Sequence, residues 1–319
     1  MDQTINKVAV VMETNLSEIP TDLHKLDNYL ENQESKFDLK EGTKAQIVWN
    51  SPEPKQTEYA IVYLHGFRAS HPEGDPVHKT VAKTFGCNLF LSRMEEHGVK
   101  SEYPLLELTE EKMLQSARFA LEIGRRIGKK IILMGTSTGG SLALYLASKP
   151  KYQNDIKALI LYSPLIDFYG ISAKLLTTKL SRKTLSVIPG KRYLITQKNS
   201  TFAEDKIWNK RYALAGALEL GAFVENNMTT SLFKKVSHPT FVGYYYKNKT
   251  DQDTVVSVSA IKKMIQNLGT RTESLHITNF PEAQNHVICS SLVSKSVDRV
   301  IGNTSKFLKD IGSHKATKI

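Results

Sequence analysis

The sequence predicts an α/β fold in which a mostly parallel sheet carries helices on both faces. Two observations carry this reading. Short apolar runs alternate in regular order with segments of helical periodicity, the pattern of β-α-β units. Several of those runs are apolar without interruption, as strands buried on both faces are.

The elements follow in order. Residues 1–40 are polar and charged, with helical spacing around Leu23, Leu26 and Leu30. Ile47–Trp49 opens a first strand, and Pro52 and Pro54 mark the turn after it. Tyr59–Leu64 is a continuous apolar strand. Pro76–Phe85 reads as a helix with proline at its start, and Asn88–Leu91 as the next strand. Thr109 is a good N-cap for a helix reaching Gly128, with Glu110 and Glu111 in its first turn and Arg125 and Arg126 in its last. Lys130–Met134 is a strand, Ser141–Ser148 a helix and Ala158–Tyr162 a strand. From about 166 to 236 the alternation stops. That stretch holds Trp208 and a helical Arg211–Leu220 segment, and reads as an insertion. The pattern resumes with a Thr240–Tyr246 strand, a Val256–Leu268 helix, a Glu273–Ile277 strand and a Leu292–Lys309 helix, then a loose tail over 313–319.

Composition narrows the function classes. With 319 residues, 40% hydrophobic and 24% charged, the chain buries enough core to need no disulfide or metal staple. The two cysteines, Cys87 and Cys289, sit in apolar surroundings and read as core residues. Net charge is +11, but the basic residues are scattered and no aromatic-interleaved basic stripe accompanies them. A nucleic-acid partner is therefore not expected. No apolar run approaches the roughly 18 residues of a membrane span, so stable membrane insertion is not expected either. Val8–Met12 is too short for a signal-peptide core, which reads as a cytoplasmic chain. Oligomeric state leaves no trace in the sequence.

The chemistry centres on Gly135-Thr136-Ser137-Thr138-Gly139, a G-x-S-x-G pattern lying directly between a buried strand and a helix. A strand that turns sharply into a helix holds its central residue at strained backbone angles and lifts the Ser137 hydroxyl above the sheet edge. The helix start then aims free N–H groups at developing negative charge. The spacing fits neither of the common phosphate-binding glycine motifs.

A serine nucleophile requires a base, and the base an orienting carboxylate. In chain order the acid comes next. Two aspartates compete in the loop after Thr240–Tyr246, Asp251 and Asp253. Asp253 is preferred because it stands three residues before Val256, where the next helix begins. Either could simply cap that helix. For the base, His286 lies in the loop between the last strand and the last helix. His276 is inside a strand, His238 precedes one and His314 is in the tail. The oxyanion donors are expected to be the backbone N–H of Thr138, next to the nucleophile, and that of Phe67 in the turn His65-Gly66-Phe67. His65 itself reads as structural. His71, Glu73, Asp75 and His78 cluster just beyond that turn. Their types suit a metal, their spacing matches no known site, and hydrogen bonds that shape the oxyanion loop are the preferred reading. No cofactor is expected.

Taken together, His65-Gly66-Phe67, Gly135 to Gly140, Asp253 with Val255-Val256, and His286-Val287 resemble an α/β-hydrolase of the carboxylesterase and monoacylglycerol-lipase type. Ser92 to Gly98 sits where esterases of that group carry a Gly-His-Gly turn, with Glu96 in place of the first glycine. The resemblance spans about residues 45–310. It implies an eight-stranded, mostly parallel sheet with a cap inserted after the sixth strand. It also implies hydrolysis of a small-molecule acyl ester without a cofactor. Domain boundaries follow: an extension over 1–40, a core over 41–165 and 237–312, and a cap over 166–236. Leu175, Leu176, Leu185, Trp208, Tyr212 and Phe223 are candidates for the acyl pocket. A thioesterase or peptidase on the same scaffold, or a non-catalytic binding protein of the same fold, is the alternative.

Overall fold

The computed structural model describes residues 16–170, 178, 193–197 and 200–313. The main sheet has seven strands: β1 (Gln46–Val48), β2 (Thr57–Leu64), β3 (Asn88–Leu91), β4 (Gly128–Thr136), β5 (Ile156–Tyr162), β8 (Thr240–Tyr244) and β9 (Leu275–Asn279). Their order across the sheet is β1-β3-β2-β4-β5-β8-β9. Only β1 runs antiparallel to its neighbour, β3. The remaining pair, β6 (Leu194–Thr196) and β7 (Arg211–Ala213), forms a separate two-stranded ribbon.

Two expectations are corrected here. Among the described residues the main sheet has seven strands where eight were expected, and the insertion follows the fifth of these in chain order where the sixth was expected. Residues around Leu23, Leu26 and Leu30 carry helical spacing and form helix α1 (Leu26–Glu34), which buries Leu26 and Leu30 in the same core cluster as Ile47 of β1. No outer strand stands beyond β1 among the described residues.

Strand register explains why both faces are covered. On β2, Ala60, Val62 and Leu64 enter one core cluster while Ile61 and Tyr63 enter the other. On β5, Leu159 and Leu161 face one way, and Ala158, Ile160 and Tyr162 the other. The first layer is closed by α3 (Glu110–Ile127), α4 (Thr138–Ala147) and α8 (Val258–Asn267). The second is closed by α2 (Val77–Thr84) and α9 (Val297–Ser313). The Thr109 cap forms, its hydroxyl accepting from the Lys112 N–H.

Between β5 and β8 lie α5 (Phe202–Ile207), α6 (Leu214–Asn227) and α7 (Thr230–Phe233). The expected Arg211–Leu220 helix therefore starts three residues late. Arg211–Ala213 instead pairs with Leu194–Thr196 as β7, a tertiary pairing that overrides the local helical pattern.

The segment ahead of the sheet is fixed by a buried ion pair. Glu34 Oε2 accepts from Arg93 Nε at 2.6 Å and from the Ala45 N–H at 3.0 Å, and Oε1 accepts from Arg93 Nη2 at 2.9 Å. The two side chains are 1% and 5% exposed. Removing one partner leaves a buried charge unpaired, so Glu34→Ala is expected to cost about 3–5 kcal/mol, read from urea unfolding.

Candidate active site

Parallel strands end on one edge, and the loops leaving that edge are where side chains from distant sequence positions meet. Adjacent strands β2 and β4 bring the His65-Gly66-Phe67 turn beside Ser137. The loop after β8 carries Asp253, and the loop after β9 carries His286. Ser137, Thr138, Gly66, Phe67 and His286 front one cavity of about 530 Å³.

Ser137 stands at φ 53°, ψ −117°, a conformation that disfavours side chains. Its N–H donates to Tyr162 O at 2.9 Å and its carbonyl accepts from Leu165 N at 3.0 Å. Gly135 and Gly139 permit this turn: a Cβ on Gly139 would lie 1.9 Å from Leu64 O, and one on Gly135 2.4 Å from Gly139 C. Helix α4 starts at Thr138, immediately after Ser137 and three residues earlier than expected, so its first N–H groups open next to Ser137.

Asp253 and His286 are joined by a 2.6 Å contact between Oδ2 and Nδ1. The other Asp253 oxygen accepts the N–H groups of Val255 at 2.8 Å and Val256 at 3.0 Å. Asp253 is not the helix cap: Ser257 accepts from Ala260 N in that role. Asp251 points elsewhere, to Tyr245 and Lys247. Burial pulls the His286 imidazole down, but the facing charges of Asp253 and Glu73 outweigh it and hold it above its ordinary value. His286 Nε2 has no hydrogen-bond partner among the described residues. The structure thus brings Asp253 and His286 into contact and sets Ser137 in the same cavity, without a Ser137–His286 bond. Such bonds often tighten only when substrate is present.

The His65-Gly66-Phe67 turn is set by peptide geometry. Gly66 O accepts from Ala69 N at 3.2 Å and lies 2.9 Å from His65 Nδ1. In a trans peptide the N–H points opposite the carbonyl, so the Phe67 N–H is turned away from both. His65 Nε2 accepts from the Met94 N–H at 3.0 Å. That fixes a neutral tautomer with Nδ1 as donor, and burial holds the ring well below its usual range. The Phe67 ring packs edge-on to Tyr212 at 5.3 Å and to His97 at 6.0 Å.

The cluster beyond the turn is tied mainly to surrounding protein groups. His71 Nε2 lies 3.0 Å from Lys44 O and His78 Nε2 2.9 Å from His71 O, while Asp75 pairs with Lys79 at 2.8 Å. Glu73 accepts from Gly66 N–H and from Trp208 Nε1 at 3.1 Å. Among the described residues, no three such side chains converge as a metal would require. Both cysteines are free and buried, each thiol pushed up to about 12 by burial.

Of the expected pocket residues, Trp208 and Tyr212 line the cavity, whereas Phe223 is buried in the core. Leu175, Leu176 and Leu185 lie outside the described residues. Sequence reasoning missed Arg68, Phe168 and Tyr245 as cavity residues. It placed Glu73 near the turn but not in the cavity wall. Its signal was an acidic residue in a short turn directly after the His65-Gly66-Phe67 turn.

No protein-family model matches the sequence, and no curated protein does. Solved structures do match. One is from work on LipS and LipT, two metagenome-derived lipolytic enzymes: 13% identity, TM-score 0.66, 85% of this chain and 99% of that one. A soluble variant of monoglyceride lipase from Saccharomyces cerevisiae gives 16% identity and TM-score 0.60 over 86% and 96%. A Butyrivibrio proteoclasticus protein solved with ferulic acid bound gives 18% identity and TM-score 0.55 over 84% and 95%. Among the described residues no helix is long and apolar enough to cross a membrane. The sheet order, the elbow and these matches establish the α/β-hydrolase fold.

Proposed function

We propose that the protein hydrolyses carboxylic esters through Ser137, His286 and Asp253, by way of an acyl-enzyme. The observation that carries this reading is the meeting, at one cavity, of a strained serine at a helix start with an imidazole held by a buried carboxylate. His286, oriented by Asp253, takes the Ser137 proton as Oγ attacks the ester carbonyl. The N–H groups of Phe67 and Thr138 stabilise the oxyanion. The alcohol leaves with the proton from His286, and water activated by the same ring releases the acid. Residues 166–236 act as the cap, supplying Phe168, Tyr169, Trp208 and Tyr212 to the cavity wall. This aromatic lining suits a bulky or aromatic small-molecule ester.

The test is hydrolysis of p-nitrophenyl esters graded in acyl length and bulk, set against thioester and amide analogues. Ester turnover well above the other two supports the reading; a folded protein inert toward every ester overturns it. The pH profile gives a second check. His286 must be neutral to accept the proton, and its pKa is raised. Activity is therefore expected to climb with pH through a midpoint above the ordinary imidazole value of about 6.5, read from kcat/KM between pH 5 and 9.

A further inference from the structure

Glu73 is 1% exposed, yet it forms part of the wall of the catalytic cavity. Three donors converge on its carboxyl. Oε1 takes the Gly66 N–H and the Tyr63 hydroxyl at 3.4 Å, and Oε2 takes Trp208 Nε1 at 3.1 Å. A Cβ placed on Gly66 would lie 3.3 Å from Glu73 Oε1 and 3.3 Å from Ser137 Cβ. The carboxyl therefore stands just across Gly66 from the nucleophile. Gly66 contributes the peptide that carries the Phe67 N–H. Its carbonyl is held by His65 and Ala69, so Glu73 supplies the hold on its other side.

The far end of the carboxyl reaches the cap. Trp208 follows α5, and its neighbours are stitched to the same loop. Asn209 N donates to Arg68 O at 2.7 Å, Arg68 Nη1 to Asn209 O at 3.0 Å, and Ser70 Oγ to Ile207 O at 2.9 Å. Those three bonds join main chain or flexible side chains. Among the described residues, Glu73 alone bonds both the indole and the oxyanion turn through a single rigid group.

We propose that Glu73 is a positioning residue that sets the oxyanion turn and couples it to the cap through Trp208. This rests on the hydrolase reading above. The carboxylate is chemically required because both of its oxygens must accept. A glutamine fills the same volume, but when its oxygen serves Gly66 its amide N–H groups oppose the indole N–H. The site also bears on the base. Burial pushes Glu73 up to about 7 against the bonds from Gly66, Trp208 and Tyr63 and the charge of His286. The titratable groups in its field are Tyr63, Arg68, His286 and Cys289. Its negative charge helps to raise His286.

The experiment is steady-state hydrolysis of p-nitrophenyl butyrate by wild type, Glu73→Gln, Trp208→Phe, the double variant and Ser137→Ala. Since one oxyanion donor is worth about 10²–10³ in kcat, a displaced turn should cost Glu73→Gln about 30-fold or more in kcat, with KM within about threefold. Its acid limb should move to lower pH, which a purely structural defect would not produce. The double variant should be no slower than Glu73→Gln, because phenylalanine removes the opposed N–H. Three results each overturn the proposal: kcat for Glu73→Gln within about threefold of wild type, an unmoved acid limb, or losses that multiply in the double variant. If Glu73→Gln fails to fold, Trp208→Phe decides. About a fivefold loss of kcat at constant KM supports the coupling, and an unchanged kcat overturns it. Loss in Ser137→Ala beside an unaffected Glu73→Gln removes the Glu73 role alone. Activity that survives Ser137→Ala removes the hydrolase reading and this proposal with it.

Discussion

Ser137→Ala is expected to lower ester hydrolysis by roughly 10⁵-fold while the protein stays folded. The magnitude follows from how triads fail. Without the nucleophile the remaining groups have nothing to activate, and only binding and oxyanion stabilisation persist. Folding should be unaffected because the Ser137 contacts that matter to the turn are made by its backbone, to Tyr162 O and Leu165 N. Alanine keeps the Cβ, and so keeps the strain at φ 53°, ψ −117°. Ser137→Gly separates the two effects. It should be as inactive as alanine yet more stable by about 1 kcal/mol, since glycine adopts that conformation freely. Activity from p-nitrophenyl esters and midpoints from thermal melts read both quantities on the same samples. An alanine variant that keeps even a tenth of wild-type activity would place the nucleophile elsewhere.

The parts legible in the sequence are those governed by local pattern. Tyr59–Leu64 reads as a buried strand because both of its faces are apolar, and the elbow reads because strand, G-x-S-x-G and helix follow without a gap. For the proposed acid, the sequence offered two candidates in one loop and favoured Asp253. Asp251 and Asp253 stand two residues apart in one polar loop, and tertiary contact separates their surroundings: Asp253 is buried against His286, while Asp251 reaches Tyr245 and Lys247. The β6–β7 ribbon was not legible, because strands of three residues are defined by their partners rather than by their own composition. Nor was the Glu73–Trp208 bond, which joins residues 135 positions apart. No periodicity reports a contact between an acid in one turn and an indole in an insertion. The expected eighth strand came from likeness to other chains; among the described residues the chain just ahead of β1 instead forms helix α1, through the helical spacing of Leu26 and Leu30.

Asp253→Asn should lower kcat by about 10⁴-fold, while Asp251→Asn should leave it within about threefold. The asparagine keeps an oxygen for the Val255 and Val256 N–H groups, so the loop survives. What changes is the face toward His286. An amide N–H there meets Nδ1 and forces the proton to Nε2, the atom that must accept from Ser137. The imidazolium formed during attack also loses its counter-charge. The pH profile should move in a defined direction. In wild type the charges of Asp253 and Glu73 outweigh burial and raise His286. With Asp253 neutral, burial dominates, so the surviving activity should rise through a midpoint at lower pH than in wild type. A fall in rate without that downward shift would mean that Asp253 serves the loop rather than the ring. Asp251→Asn is the internal control: its side chain pairs with Tyr245 and Lys247, away from the imidazole. Inactivity there, with Asp253→Asn active, would exchange the two assignments outright.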